Sequence, residues 1–211
     1  RGAIGYSQLK SSPIAAGTLP VYLTFDDGPD AVWTPRILDL LSDAEVPATF
    51  FVIGRLAREH PSLLRQISER GHDIGNHGWS HRHPWTMLPS TARREVSDGA
   101  AAISDITGLK AKLYRPPHGR QRRCMTDEAR MNEQKLVLWD RSAIDWGPKG
   151  SASAIANRLS LVRGHEIVLM HDGSGRINRP DELVRELPAF LNRLSEHGLR
   201  PSLLREVNRW N

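Results

Sequence analysis

Short continuous apolar runs alternate along the chain with stretches in which apolar residues recur at helical spacing. The runs lie at 21–25, 48–53, 136–139 and 167–170, with shorter strand candidates around Asp73-Ile74 and at Leu113-Tyr114. They are rich in β-branched and aromatic residues and too short for helices, so they predict buried strands. A final strand is expected at 199–204. Between them, Ile37, Leu38 and Leu41 form one helical face, with Thr34 as the expected N-cap and Pro35 at the first helical position. Leu63, Leu64 and Ile67 form a second, opened by Pro61 and ended by Gly71. Ser90 is expected to cap a longer helix through Val96, Ala100 and Ile103. Further helices are expected at 154–162 and at 180–197, the last bent at Pro188, and a short one within 120–133. Residues 1–20 read as an irregular lead-in, and 21–211 as one domain.

Buried strands alternating with helices mean a parallel sheet, either open or closed into a barrel. In such folds the chemistry gathers at the C-terminal ends of the strands. The unusual polar residues sit there, just after the first, third, fourth, fifth and sixth predicted strands, which points to one site on one face.

Composition narrows the class. A chain of 211 residues with 39% hydrophobic and 25% charged residues is globular and long enough for one large core. No apolar run reaches membrane-spanning length. The net charge of +5 favours an anionic or neutral polymer as partner, but no zinc-finger spacing or RNP-like motif accompanies it, so no nucleic-acid partner is expected. Cys124 is the only cysteine, which leaves no intrachain disulfide and an incidental thiol. Starting at Arg1 without methionine, the chain is expected to be a trimmed or mature form. Its compartment stays open between envelope, secreted and cytoplasmic, as does its oligomeric state.

The first strand ends in Thr24-Phe25-Asp26-Asp27-Gly28-Pro29. Two adjacent carboxylates at the end of a buried strand are costly, because burial and mutual repulsion both oppose ionisation. A cation on one removes most of that cost and leaves the other as a base; the alternative is a solvated Asp-Asp-Gly turn. His77 and His81 stand at i and i+4, which on one helical turn would face both imidazoles the same way. With Asp27 they make an N,N,O ligand set that leaves positions open for water and substrate.

Together these segments resemble the polysaccharide deacetylase family, also called the NodB homology or carbohydrate esterase family 4 domain. The resemblance runs from about Val21 to Leu204, with five motifs in order: Thr24 to Pro29, His77 to His81, Arg115-Pro116-Pro117-His118-Gly119, Trp139 to Trp146, and Ile167 to Asp172. It implies a distorted, shortened (β/α) barrel of about seven parallel strands. It further implies a metal-dependent hydrolase that removes N-acetyl groups from N-acetylglucosamine-containing glycans of chitooligosaccharide or peptidoglycan type. By that resemblance Asp26 is the general base, held ionised by Arg115, and His171 the general acid, tuned by Asp145. Asp27, His77 and His81 would hold one divalent metal ion, zinc foremost, with cobalt or nickel as alternatives. The main-chain N–H of His118 would meet the oxyanion, Leu169 would line the acetyl pocket, and Pro117 and Trp146 would contact substrate.

The sequence departs from the family pattern at four places. Gly78 replaces a hydroxyl residue, Arg82 replaces a proline with His83-Pro84 following late, His118 replaces a tyrosine, and Ser142 replaces an aspartate. A shifted register with His83 as ligand is the alternative to His81. Trp79 and Trp85 are either a sugar-stacking platform or core covers, and the run Arg120, Arg122, Arg123 is a solvated loop or a contact for an acidic polymer. Two rival functions remain: a catalytically idle carbohydrate-binding domain of the same fold, and a deacetylase acting on a non-sugar amide.

Overall fold

The computed structural model describes residues 18–206. In chain order the elements are β1 (Leu19–Asp26), α1 (Trp33–Asp43), β2 (Thr49–Val52), α2 (Gly54–Glu59), α3 (Pro61–Glu69), β3 (Asp73–Asn76), α4 (Pro89–Thr107), β4 (Leu113–Tyr114), α5 (Arg123–Met131), β5 (Lys135–Leu136), β6 (Arg141–Ser142), α6 (Ala152–Leu159), β7 (Ile167–His171), α7 (Pro180–Glu196) and β8 (Leu199–Pro201). The strands pair in parallel in the order β5-β4-β3-β2-β1-β7-β6, with β8 alongside β1. Neighbours are consecutive in sequence except that β7 returns to β1. That is the cyclic order of a barrel, left unladdered between β5 and β6. The expected distorted, shortened barrel with seven parallel strands is therefore present.

Two apolar layers follow from the period-2 alternation of the strands. Val21, Leu23 and Phe25 of β1, Phe50 and Val52 of β2, and Val168 and Met170 of β7 join Ile37, Leu41, Leu64 and Leu187 of the surrounding helices. The alternate residues Tyr22, Phe51 and Ile167 meet Leu113, Val137 and Leu204 in a second cluster. Phe51 fills its layer against Gly75, its partner in the β2–β3 ladder, where a Cβ would lie 2.4 Å from the ring. On β1 the same face as Tyr22 goes on to Thr24 and Asp26, so this strand climbs from apolar core to acid at its C-terminal end.

Several local expectations are corrected. β1 begins at Leu19, so the irregular lead-in ends before residue 19, and residues 1–17 lie outside the described residues. Thr34 is not a cap: α1 starts at Trp33, and Asp30 Oδ1 accepts hydrogen bonds from the N–H groups of Val32 and Trp33. The Thr34 hydroxyl instead donates to Asp172 Oδ2 at 2.5 Å. Ser90 lies inside α4, which starts at Pro89. Gly54 opens the unforeseen α2, where it packs against Gly99 and Trp79. The run at 136–139 ladders only through Leu136, because the chain then crosses to β7, where Asp140 N–H donates to the Ile167 carbonyl and β6 forms. β6 is the ring's seventh strand, and the strand foreseen at 199–204 is the shorter β8. Pro188 sits within α7 without ending it.

Candidate active site

At the C-terminal ends of the ring strands, Asp26 ends β1 and His171 ends β7, opposite each other in the ladder. His77 follows β3 and Arg115 follows β4. Successive side chains of a strand point to opposite faces, so Asp26 and Asp27 could not share a site on a straight strand. Asp27 has φ 74°, a left-handed conformation that aspartate tolerates, and this turns its carboxylate back. Both acids then reach His77 Nε2, Asp26 Oδ2 at 3.6 Å and Asp27 Oδ1 at 3.4 Å.

His77 and His81 do not lie on a helical turn, which corrects the reason given for their pairing. The segment after Asn76 is a loop with left-handed residues at Gly78 (φ 83°) and His81 (φ 60°). This curl brings the two rings to a 5.0 Å centroid separation and His81 Nε2 to 3.1 Å from Asp27 Oδ1. Gly78 belongs to that geometry, since its φ is one that other residues rarely adopt. Glu95 on α4 fixes the loop, accepting from the Ser80 N–H at 2.8 Å and the Ser80 hydroxyl at 2.7 Å. His83 turns elsewhere, with its ring 5.3 Å from that of His118.

Asp27, His77 and His81 each offer one ligand atom, all within 4.8 Å of one another. A tetrahedral ion with bonds of about 2.0–2.1 Å needs ligand atoms about 3.3 Å apart, close to the two Asp27–histidine distances. Asp27 Oδ1 is buried and accepts no hydrogen bond, while Oδ2 accepts one from Asn178 Nδ2 at 2.7 Å. His77 Nδ1 lies 2.7 Å from the Arg115 carbonyl. A carbonyl only accepts, so Nδ1 carries a proton and Nε2 is the ring nitrogen turned to the acids. Burial lowers the His77 pKa, but the charges of Asp26 and Asp27 outweigh it and raise it. Burial and neighbouring His77 lower His81 to about 4, leaving it a neutral imidazole, the ligating form. Burial pushes the Asp27 carboxyl up, but the His77 contact and the neighbouring imidazoles outweigh it and hold the group below the usual range. These residues fit a divalent cation.

Arg115 is fully buried, with its guanidinium 4.1 Å from the centre of the Phe51 ring. Its Nη1 donates to Asp26 Oδ1 at 2.7 Å and to Thr24 Oγ1 at 2.8 Å, and Nη2 donates to the Leu138 carbonyl at 3.2 Å. The same residue thus orients His77 through its backbone and Asp26 through its side chain. Across the mouth, His171 Nδ1 lies 2.8 Å from Asp145 Oδ1, while the His171 N–H donates to Asp145 Oδ2 at 2.7 Å. Burial lowers the His171 pKa, but the charge and hydrogen bond of Asp145, with Asp27 and Asp26 beyond, raise it to about 9.

Trp146 meets His171 edge-on at 5.3 Å, and Leu169 is buried two residues before His171 on the same strand face. Pro117 is buried beside the exposed His118, whose φ of 58° turns the main chain and whose ring lies 4.5 Å from that of His81. Ser142 receives the Ile144 N–H at 3.1 Å and so shapes the turn before Asp145. Sequence reasoning missed Asn178 and Glu95, both distant in sequence from the residues they hold and without a spacing signal. It also gave no role to Asp172, whose carboxyl packs over Gly28, where a Cβ would lie 2.0 Å from Oδ2. Burial, with the nearby Asp27 and Asp26, outweighs the hydrogen bond from Thr34 and raises the Asp172 pKa to about 7. Its signal was an acid continuing a buried strand.

A family model described as polysaccharide deacetylase matches residues 16–137. A peptidoglycan-N-acetylglucosamine deacetylase of Bacillus cereus is 31% identical over 192 residues, 90% of this chain and 88% of that protein. A chitooligosaccharide deacetylase of Sinorhizobium fredii is 34% identical over 82% of this chain and 80% of its own. Among solved structures, a family 4 carbohydrate esterase from Streptomyces lividans in complex with acetate superposes with a TM-score of 0.82 at 28% identity, covering 92% of this chain and 96% of that one. With the family model matching more than half of the sequence and relatives of 31% and 34% identity matching most of it, this chain belongs to the polysaccharide deacetylase family.

Proposed function

We propose that this chain is a metal-dependent N-deacetylase of N-acetylglucosamine-containing glycans, of chitooligosaccharide or peptidoglycan type. The observation that carries the reading is a pair of oppositely charged couples, Asp26 with Arg115 and His171 with Asp145, flanking the Asp27–His77–His81 cluster. Amide hydrolysis needs a base for the attacking water and an acid for the leaving nitrogen. A divalent cation held by Asp27, His77 and His81, zinc by its taste for an N,N,O set, with cobalt or nickel as substitutes, would supply Lewis acidity and a more acidic water.

The chain's own groups divide the remaining work. Arg115 engages Asp26 Oδ1 and leaves Oδ2 to take the proton of the attacking water. Asp145 holds His171 by Nδ1, so the Nε2 proton goes to the departing nitrogen and the C–N bond breaks to give amine and acetate. The main-chain N–H of His118 donates to the oxygen that gains charge, as oxyanion-hole donors do. Leu169 receives the acetyl methyl, and Pro117 and Trp146 wall the cleft.

Acetate release from N-acetylglucosamine oligomers and from peptidoglycan, before and after chelation and on restoring zinc, cobalt or nickel, tests this. Metal-restored release supports it. Glycan binding without release would identify an idle binding domain instead, and release only from non-sugar acetamides would move the substrate class.

A further inference from the structure

We infer that Trp85, braced by Arg122, is an outer subsite on which a sugar ring of the glycan stacks, away from the residue being deacetylated. The inference rests on the glycan reading above for its ligand class. The indole is 63% exposed, on a loop whose position is fixed. Arg122 Nη1 donates to the carbonyls of Pro84 and Met87 at 2.6 and 2.7 Å, and its guanidinium sits 5.4 Å from the Trp85 ring centre. One face of the ring is thereby covered by a cation, and the exposure belongs to the rest. A rigid tryptophan held open to water is the kind of surface that packs the C–H face of a pyranose at little entropic cost.

The platform is continuous with the reaction site. From His81 the ring of His118 lies 4.5 Å away, and from His118 the ring of His83 lies 5.3 Å away. The main-chain N–H of Trp85 in turn donates to His83 Nδ1 at 3.4 Å. The rings of His81, His118 and His83 thus lead from the Asp27–His77–His81 cluster to the exposed segment that carries Trp85. Trp79, the other candidate on this loop, is half-buried against Gly54 and covers the core. That path runs through His83 and His118, two of the positions where this sequence departs from its family.

The test compares wild type with Trp85→Ala and Trp85→Phe on N-acetylglucosamine dimers and hexamers, reading steady-state kinetics and, separately, calorimetric binding of the hexamer. Trp85→Ala should raise KM for the hexamer about tenfold, the size expected for loss of one aromatic stack. It should leave kcat unchanged, leave the dimer unaffected and weaken hexamer binding by a similar factor, with Trp85→Phe retaining most of the affinity. Equal effects on dimer and hexamer, or hexamer binding that is absent or identical in wild type and Trp85→Ala, would overturn the inference. Because binding is read without turnover, Trp85-dependent binding in a protein that releases no acetate would sink the catalytic reading while leaving this one standing.

Discussion

Asp26 and His171 are direct partners in the β1–β7 ladder, and in a parallel pair such residues project from the same face. Each is bound at its far side by a counter-charge, Arg115 at 2.7 Å for Asp26 and Asp145 at 2.8 Å for His171. The assignment of Asp26 as base therefore separates cleanly from metal binding. Asp26→Asn should keep its metal and lose activity by about 10²–10⁴-fold, the range for one general base. Metal analysis alongside acetate release checks this, and loss of metal in Asp26→Asn would make the residue a ligand and not the base.

Arg115 should matter to stability as much as to rate. Its guanidinium is fully buried against Phe51 and pairs with a buried carboxylate. Removing one partner of a buried pair leaves the other charge uncompensated, at a cost of about 3–5 kcal/mol. Arg115→Met should show that loss in urea unfolding. The double variant Arg115→Met, Asp26→Leu should recover part of it, and no recovery would mean that the pair is not the source.

A pH profile isolates the His171–Asp145 couple. The acid must be protonated, so activity falls as pH rises through the His171 pKa, which lies near 9 without metal. A cation on Asp27 offsets the pull of the two neighbouring acids, so the loaded enzyme should lose activity between about 6.5 and 9. In Asp145→Asn burial lowers the pKa unopposed by its largest counterweight, and the alkaline limb should move down by about a unit or more. A limb that stays in place would remove His171 from the role of acid.

The barrel was legible because β1, β2 and β7 are continuous apolar runs whose buried length exceeds any polar interruption. β6 was not, since Arg141 and Ser142 carry no apolar pattern, and the run at 136–139 was read as longer than β5, because only tertiary pairing shows that the chain leaves β4 and crosses to β7. The pairing of His77 with His81 was read correctly for a wrong reason: loop conformation at Gly78 and His81 makes it, not helical spacing. The groups that orient the site, such as Asn178 on Asp27 and Glu95 on Ser80, come from elements far along the chain, and only tertiary contact reveals them.

Metal removal should be visible without any substrate. Asp27 Oδ1 is a buried acceptor lacking a donor, so an ion bound there stabilises the native state through mass action, by about 2.7 kcal/mol at a hundredfold excess over Kd. Chelated protein should melt several degrees lower and regain its Tm on adding zinc. His81→Ala should blunt that response, whereas His83→Ala should leave it intact. The reverse order would place His83 in the ligand set.

Acid stability should report a residue at the opposite end of β3. His72 is 5% exposed, its Nδ1 accepts the Ala48 N–H at 3.2 Å, and its ring meets Phe50 edge-on at 5.5 Å. Burial, aided by the charge of Arg70, lowers its pKa from 6.5 to about 4. Between those values the unfolded chain binds a proton that the folded one refuses, so stability must fall as pH drops from 6.5 towards 4 and level off below. The full shift corresponds to about 3 kcal/mol. His72→Asn can keep an acceptor for Ala48 but has nothing to titrate. Urea unfolding of both proteins from pH 7 to pH 4.5 should therefore show wild type losing its advantage progressively, since all other titrating groups are common to the pair. Parallel curves would show that His72 takes up its proton as readily in the folded protein as in the unfolded chain.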